Sequence, residues 1–355
     1  MIQNWLVKIL LLPFSLLYGI GIVIRNWFYK KGLLKSVSFN LPIISVGNLS
    51  VGGAGKSPHI EYLVSLLADY IDVATLSRGY KRKTKGYLQV KQHHSAQDVG
   101  DEPLQFRRKF GDDIVVAVDE NRMFGIPKIL TDKPSTQAIL LDDAFQHLAV
   151  EPGLNILLTE YNRRFTKDFL LPSGRLREWR SAYHRADVII VTKCPPDISE
   201  VERSEILEEI NLMPGQSLYF SYYQYGMPYN IFNPQDRHPL KEDEDVLLIS
   251  AIANTDYLIS HLESKCAYIK TLEFEDHHFY DHSDISTLLR TYDNMEDGAV
   301  ILTTEKDAMR LELHKAHFIE KNIRIYAIPV EVQFHFEEGK KFNEEIVDYL
   351  LSFKE

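Results

Sequence analysis

Residues 50–59 read SVGGAGKSPH, and the reading of this stretch decides the fold. Upstream, LPIISVGNL (41–49) is a short apolar, β-branched run closed by turn residues, which predicts a buried strand. Downstream, Pro58 suits the first turn of a helix, and IEYLVSLLADY (60–70) repeats apolar residues at helical spacing. The glycines therefore join a strand to a helix. In that setting backbone N–H groups of Ser50, Val51, Gly52, Gly53, Ala54, Gly55, Lys56 and Ser57 can converge on an anion. The Lys56 ammonium can reach outer phosphates, and the Ser57 hydroxyl suits a bound Mg²⁺. One departure stands out: the usual G-x-x-x-x-G-K-[ST] spacing puts a glycine at position 50, where this chain has Ser50. The plainer alternative is a strand–turn–helix followed by a surface lysine.

Outward from this stretch, strands alternate with helices. VATL (73–76), DIVVAV (113–118), QAILLDDAFQHL (137–148), LNILLTE (154–160) and ADVIIVTK (186–193) read as further strands. The pattern predicts an α/β fold, a P-loop NTPase-like parallel sheet with helices on both faces. Functional loops then lie at the carboxyl ends of the strands. Residues 221–244 lack periodicity and are rich in Pro, Asn, Tyr and charge. DVLLISAIAN (245–254), AYIKTLEF (267–274), GAVILTTEKDA (298–308) and IRIYAIPV (323–330) read as strands of a second, smaller α/β unit, and KFNEEIVDYLLSF (341–353) as a closing helix. The expected division is an N-terminal anchoring helix with a basic flank (1–40), a P-loop domain (41–225), a linker (226–244) and a second α/β domain (245–355).

The first forty residues contain Lys8, Arg25, Lys30, Lys31 and Lys35 but no Asp or Glu, and residues 9–24 carry no charge. That run is slightly shorter than the ~20 residues that span a bilayer. Trp5, Trp27, Phe28 and Tyr29 bracket it as interfacial anchors do. Bulky RNWFYKK follows where a cleavable signal would have small residues. The expectation is a membrane helix, inserted shallowly or just spanning, with the rest of the chain cytoplasmic; the alternative is a buried core helix. A net charge of −10 argues against a general nucleic-acid binder. Cys194 and Cys266 are the only cysteines, far apart and without metal-ligand spacing, which suits a reducing compartment.

Several clusters carry candidate chemistry. Asp142 and Asp143 end an apolar strand, the Walker B arrangement for Mg²⁺. In GDEP (100–103), Asp101 and Glu102 begin a helix, where acids also serve as caps. EDHHFYDHSD (275–284) packs three histidines and four acids together. It suits an Asp–His proton-transfer pair, a metal site or a solvated loop. RRFTKDFLLPSGRLREWR (163–180) gathers arginines around a turn, as an anionic substrate or a basic surface would require. A membrane-associated nucleotide switch or partitioning ATPase is the competing class. However, VTKCPPD (191–197) has Pro195 where a guanine-reading aspartate belongs, and Val51 stands where a partitioning ATPase has lysine.

Taken in order, GAGKSP, SRGY, GDEP, LDDAFQH, LLPSGRLRE, AIAN, DHHFY and TEKDA make the chain resemble the tetraacyldisaccharide 4′-kinases of Gram-negative bacteria, from the N-terminal anchor to about residue 330. Ser57 replaces the family's usual Thr, Ala144 its Gly, and Arg175 a common Pro. The resemblance implies transfer of the ATP γ-phosphoryl to the 4′-hydroxyl of a lipid A disaccharide 1-phosphate precursor at the cytoplasmic face of the inner membrane. It implies ATP and Mg²⁺ as cofactors, with no obligate protein partner. By the same resemblance Lys56 holds phosphates, Ser57 with Asp142 or Asp143 holds Mg²⁺, and Glu102 is a further ligand. Asp101 is the expected general base and His277 its partner.

Overall fold

The computed structural model describes residues 5–296 and 298–353; the side chains of Trp5 and Leu6 lie outside what is described. The first sheet is built from β1 (Ile43–Asn48), β2 (Val73–Ser77), β3 (Leu88–Gln89), β4 (Val115–Val118), β5 (Ala138–Asp142), β6 (Leu154–Glu160), β7 (Val188–Thr192) and β8 (Ser217–Tyr225). The second contains β9 (Tyr229–Asn230), β10 (Asn233–Arg237), β11 (Asp245–Ser250), β12 (Tyr268–Glu273), β13 (Val300–Thr304) and β14 (Ile325–Ile328). A final strand, β15 (Val330–Phe334), returns to the first sheet, which is nine-stranded in the order β15-β8-β7-β6-β1-β5-β2-β4-β3.

Within it β8 through β4 run parallel, and only the edge strands β15 and β3 pair antiparallel. Strands β1, β2, β5 and β7 are buried along their whole length, as expected of β-branched runs covered on both faces. β1 lies between β5 and β6, with Val46 opposite Asp142. The glycine-rich loop and the paired aspartates thus leave adjacent strand ends. The second sheet runs β10-β9-β14-β13-β11-β12, parallel from β14 to β12.

The sheets exchange chain twice. β8 passes to β9 through residues 226–228, and Pro329 alone separates β14 from β15. The two crossings touch, Gly226 N donating to Pro329 O at 3.0 Å. The stretch 226–244 carries β9 and β10 at the edge of the second sheet. The closing helix Gly339–Leu351 packs on the first sheet's side: Phe342 meets Tyr62 and Tyr219, and the Tyr349 hydroxyl bridges the Ile43 backbone. The TTEKDA run divides between two elements. β13 stops at Thr304, whose hydroxyl accepts from Asp307 N at 3.1 Å and caps a helix over Glu305–Leu311.

The N-terminal helix, Trp5–Lys30, is not a core helix. Within its Val7–Lys30 span the most apolar 18-residue window has a mean hydropathy of 2.2, with 17 % of that window buried. Leu10, Leu17 and Ile20 face outward, whereas Ser15 and Ile22 face the protein. Ser15 Oγ donates to Leu170 O at 3.0 Å, and Tyr18 Oη to Arg177 O at 3.0 Å. Trp179 Nε1 donates to Gly19 O at 3.2 Å, and Arg25 pairs with the fully buried Glu178. The helix is therefore fastened along one face to the LLPSGRLREW loop.

Candidate active site

The loop after β1 wraps the start of the helix Lys56–Leu67. Gly55 caps that helix with φ +88°, and a Cβ there would lie 2.1 Å from Tyr223 Oη. Only glycine fits both the backbone and the tyrosine. Beneath the loop, His59 is buried and neutral. Desolvation takes its pKa down to about 4, against the raising effect of its bond to Gly55. Its Nδ1 donates to Gly55 O at 2.7 Å, and Nε2 accepts from Ser221 Oγ at 3.1 Å. The histidine in GKSPH thus braces the turn.

Lys56 Nζ lies 3.4 Å from Asn48 Oδ1 and 3.9 Å from Asp143 Oδ2. The two aspartates differ sharply. Asp143, at φ +47°, is held by both Arg177 Nη atoms, at 3.1 and 2.8 Å. Burial would raise its carboxyl, but Lys56 and Arg177 hold it well below the usual range. Asp142 is buried with neither carboxylate oxygen hydrogen-bonded among the described residues. Burial, then Glu102, pushes its pKa up to about 8 despite Lys56. Ser57 Oγ donates to Glu102 Oε1 at 3.2 Å. Asp142, Ser57 and Glu102 thus offer oxygen donors of the kind Mg²⁺ prefers, and a divalent cation would satisfy the bare Asp142 carboxylate. Among the described residues no three His, Cys, Asp or Glu side chains form a ready-made metal cluster.

The second sheet supplies the opposite wall. His277 Nδ1 lies 3.0 Å from Asp101 Oδ2, across 176 positions of sequence. The same oxygen accepts from Arg310 Nη1 at 2.8 Å, and Asp101 Oδ1 accepts from Glu102 N at 2.9 Å. Asp101 therefore both ties down the first turn of its own helix, which Gly100 caps, and joins the two units. Burial would raise its carboxyl, but Lys306, His277 and Arg310 outweigh this and hold it low. His277 sits at φ +58°, its N–H bonded to Ala251 O and its ring 4.6 Å from that of Tyr80. Elsewhere in EDHHFYDHSD, His278 pairs with Asp284 at 2.7 Å and Asp281 caps the next helix.

Sequence reasoning missed what TEKDA does. Asp307 accepts from Ala251 N, Tyr280 Oη, Thr304 Oγ1 and Arg310, drawing AIAN, DHHFY and TEKDA into one knot. Lys306 Nζ reaches Glu102 Oε1 at 3.2 Å and His277 Nε2 at 3.1 Å. The signal was present in the ordered motifs, but no spacing rule assigns these partners. One cavity is lined by Lys56 and Ser57 on one side and His277 and Lys306 on the other. Tyr223 and Tyr257 also line it, 5.5 Å apart at 80°.

A phosphate-cradling loop, Walker B aspartates on the neighbouring strand and a carboxylate–imidazole pair across the cleft define a P-loop kinase. A family model described as tetraacyldisaccharide-1-P 4′-kinase matches residues 7–351. The chain belongs to that family. It is 45 % identical over 359 residues to the tetraacyldisaccharide 4′-kinase of Bacteroides fragilis, covering 98 % of this chain and 93 % of that protein. It is 40 % identical to that of Flavobacterium johnsoniae, covering 97 % and 98 %. A crystal structure of LpxK from Aquifex aeolicus in complex with ATP superposes with a TM-score of 0.73 at 31 % identity, covering 97 % of this chain and 99 % of that one.

Proposed function

We propose that the chain transfers the γ-phosphoryl of ATP to the 4′-hydroxyl of a tetraacylated disaccharide 1-phosphate, working at the cytoplasmic face of the inner membrane. The observation that carries this reading is the single cleft with Lys56 and Ser57 on one wall and His277, bonded to Asp101 behind it, on the other. We propose a two-domain division for this cleft, with residues 41–225 supplying the phosphate wall and 245–328 the imidazole wall. Family membership favours kinase over nucleotide switch.

In this mechanism the cradle amides and Lys56 orient the triphosphate. Asp142 and Ser57, with Glu102 alongside, would hold Mg²⁺. Asp142 is favoured over Asp143 because Arg177 already occupies both Asp143 oxygens. Bound there, the ion neutralises charge on the phosphate oxygens. The Asp101–His277 pair takes the acceptor's proton. Asp101 is the buried member, its Oδ2 already shared by two donors, so the imidazole Nε2 meets the hydroxyl. Nδ1–H then remains on the carboxylate and the ring keeps its orientation. A sugar hydroxyl is far too weak an acid for early deprotonation, so the proton moves late, as the phosphorus–oxygen bond forms. Incubating detergent-solubilised protein with labelled ATP and disaccharide 1-phosphate tests the reading. A labelled bisphosphorylated lipid is the expected product, and ATP turnover without lipid labelling would count for the switch.

We also propose that the outward face of the N-terminal helix lies in the bilayer interface, because its apolar side is exposed while its other side is bonded to the protein. Leu10 and Leu17 are 72 % and 66 % exposed and make none of those bonds. Leu10→Asn/Leu17→Asn is expected to weaken vesicle co-sedimentation by about tenfold or more while leaving ATP affinity unchanged. Undiminished sedimentation of the folded double variant would remove the helix from the membrane.

A further inference from the structure

The kinase reading gives Lys306 no task, yet its ammonium occupies the middle of the cleft. It sits in the first turn of the helix Glu305–Leu311 with 18 % of its side chain exposed. Glu102 Oε1, at 3.2 Å from Nζ, also accepts from Ser57 Oγ at 3.2 Å. The ammonium and the hydroxyl that follows Lys56 therefore share one carboxylate oxygen. On its other side the ammonium is 3.1 Å from His277 Nε2. It thus lies between the phosphate cradle and the proton acceptor, the zone an in-line phosphoryl group must cross.

We propose that Lys306 is a further catalytic residue of this reaction, whose ammonium leaves His277 and binds the transferring phosphoryl group when nucleotide fills the cleft. The inference rests on the kinase reading above. Three physical points support it. First, the ammonium is ion-paired: it lies 3.2 Å from the Glu102 carboxylate, a partner that favours the charged form of a lysine. Second, an ammonium has only donors, so its contact makes Nε2 the acceptor and places the ring proton on Nδ1, facing Asp101. That tautomer is the one the reaction needs, but Lys306 covers the lone pair that the acceptor hydroxyl must use. Third, the transferring group spreads negative charge over its equatorial oxygens, and a buried cation brought to them acts where water screens least.

One movement then does two things: it uncovers Nε2 and delivers positive charge to the phosphoryl group. In the step itself the acceptor oxygen bonds to the γ-phosphorus and its proton passes to Nε2. The bond from the γ-phosphorus to the β,γ-bridging oxygen breaks, and its electron pair stays on ADP. Lys306 gives and takes no proton. Because Lys306 belongs to the second unit while Lys56 belongs to the first, the transferred group is gripped from both walls.

The test compares ADP with ADP–beryllium fluoride, which adds a γ-phosphate mimic, both with Mg²⁺ and without any lipid acceptor. Lys306→Gln deletes the charge but keeps a donor toward Glu102 and His277, which protects folding. It is expected to bind ADP within about threefold of wild type, to bind ADP–beryllium fluoride about tenfold or more weakly, and to lose about a hundredfold in kcat with KM for ATP changed far less. Equal weakening toward both ligands, or toward neither, would overturn the proposal, since a purely structural lysine does not discriminate between them. A measurement on the wild-type protein needs no variant: acylation of Lys306, followed by mass spectrometry, should be slowed by ADP–beryllium fluoride more than by ADP. Equal protection would also overturn the proposal. Wild-type protein that binds no ADP would overturn the kinase reading itself, and this inference with it.

Discussion

Lys56→Ala is expected to lower turnover about a hundred- to a thousandfold while leaving the fold intact. The asymmetry follows from what Lys56 touches. Among the described residues its ammonium has only a long contact to Asn48 Oδ1, 3.4 Å, and a loose ion pair with Asp143, 3.9 Å. Asn48 and Asp143 both keep Arg177 when the lysine goes. Little folding energy therefore depends on Lys56, and its charge is free for the triphosphate. Single-turnover kinetics on the purified variant, with thermal melts beside them, make the check. A folded variant that retains more than about a tenth of wild-type activity loses less than ~1.4 kcal/mol of transition-state stabilisation, too little for a phosphate-holding cation.

The second large effect concerns Asp101 and His277. Acting as one unit, they are expected to contribute about 10²–10⁴-fold, and removing either should cost most of what removing both costs. Asp101→Ala, His277→Ala and the double variant should show strongly non-additive losses in kcat at saturating Mg²⁺-ATP. Folding must be tracked, because Asp101 also pairs with the fully buried Arg310. Taking one partner from a buried ion pair costs about 3–5 kcal/mol, though Arg310 retains Asp307. A helix cap alone would lower the melting temperature and leave turnover of the folded fraction nearly unchanged. Losses that simply add would separate the two residues into independent sites.

Much of this architecture was readable from local pattern. Strand, glycine turn and helix around GAGKS lie within thirty residues, so short-range rules suffice to place Lys56 and Ser57. The paired aspartates were legible as a strand end, but not their division of labour. That depends on Arg177, which arrives from a loop 34 positions away and ties up Asp143 alone. Contacts between the two units were beyond spacing rules. Asp101 meets His277 and Arg310 across 176 and 209 positions, and only the resemblance to a family suggested the first. Lys306 escaped because GAVILTTEKDA reads as one strand, whereas the Thr304 cap turns its second half into a helix. Strands β9 and β10 were hidden for a different reason. They are short strands at the sheet's edge whose polar, Pro- and Asn-containing sequences look like loop, and their order comes from the pairing of β9 to β14 and of β10 to β9.

The touching crossings at Gly226 and Pro329 make the second sheet a cassette spliced into a finished hairpin. Tyr225 and Val330 already face each other in the antiparallel register of β8 and β15. A tight turn joining them would excise everything from 226 to 329 without unpairing a strand of the first sheet. What remained would keep Lys56, Ser57 and Asp142, together with the closing helix and its Tyr349 clasp on Ile43. It would lose His277, Lys306 and Arg310 at a single stroke. The glycine-rich loop and the imidazole that faces it are thus carried by stretches of chain that meet covalently at one joint, while Leu104 and Phe106 of the first unit share a single buried core with Leu247 and Ile301 of the inserted one.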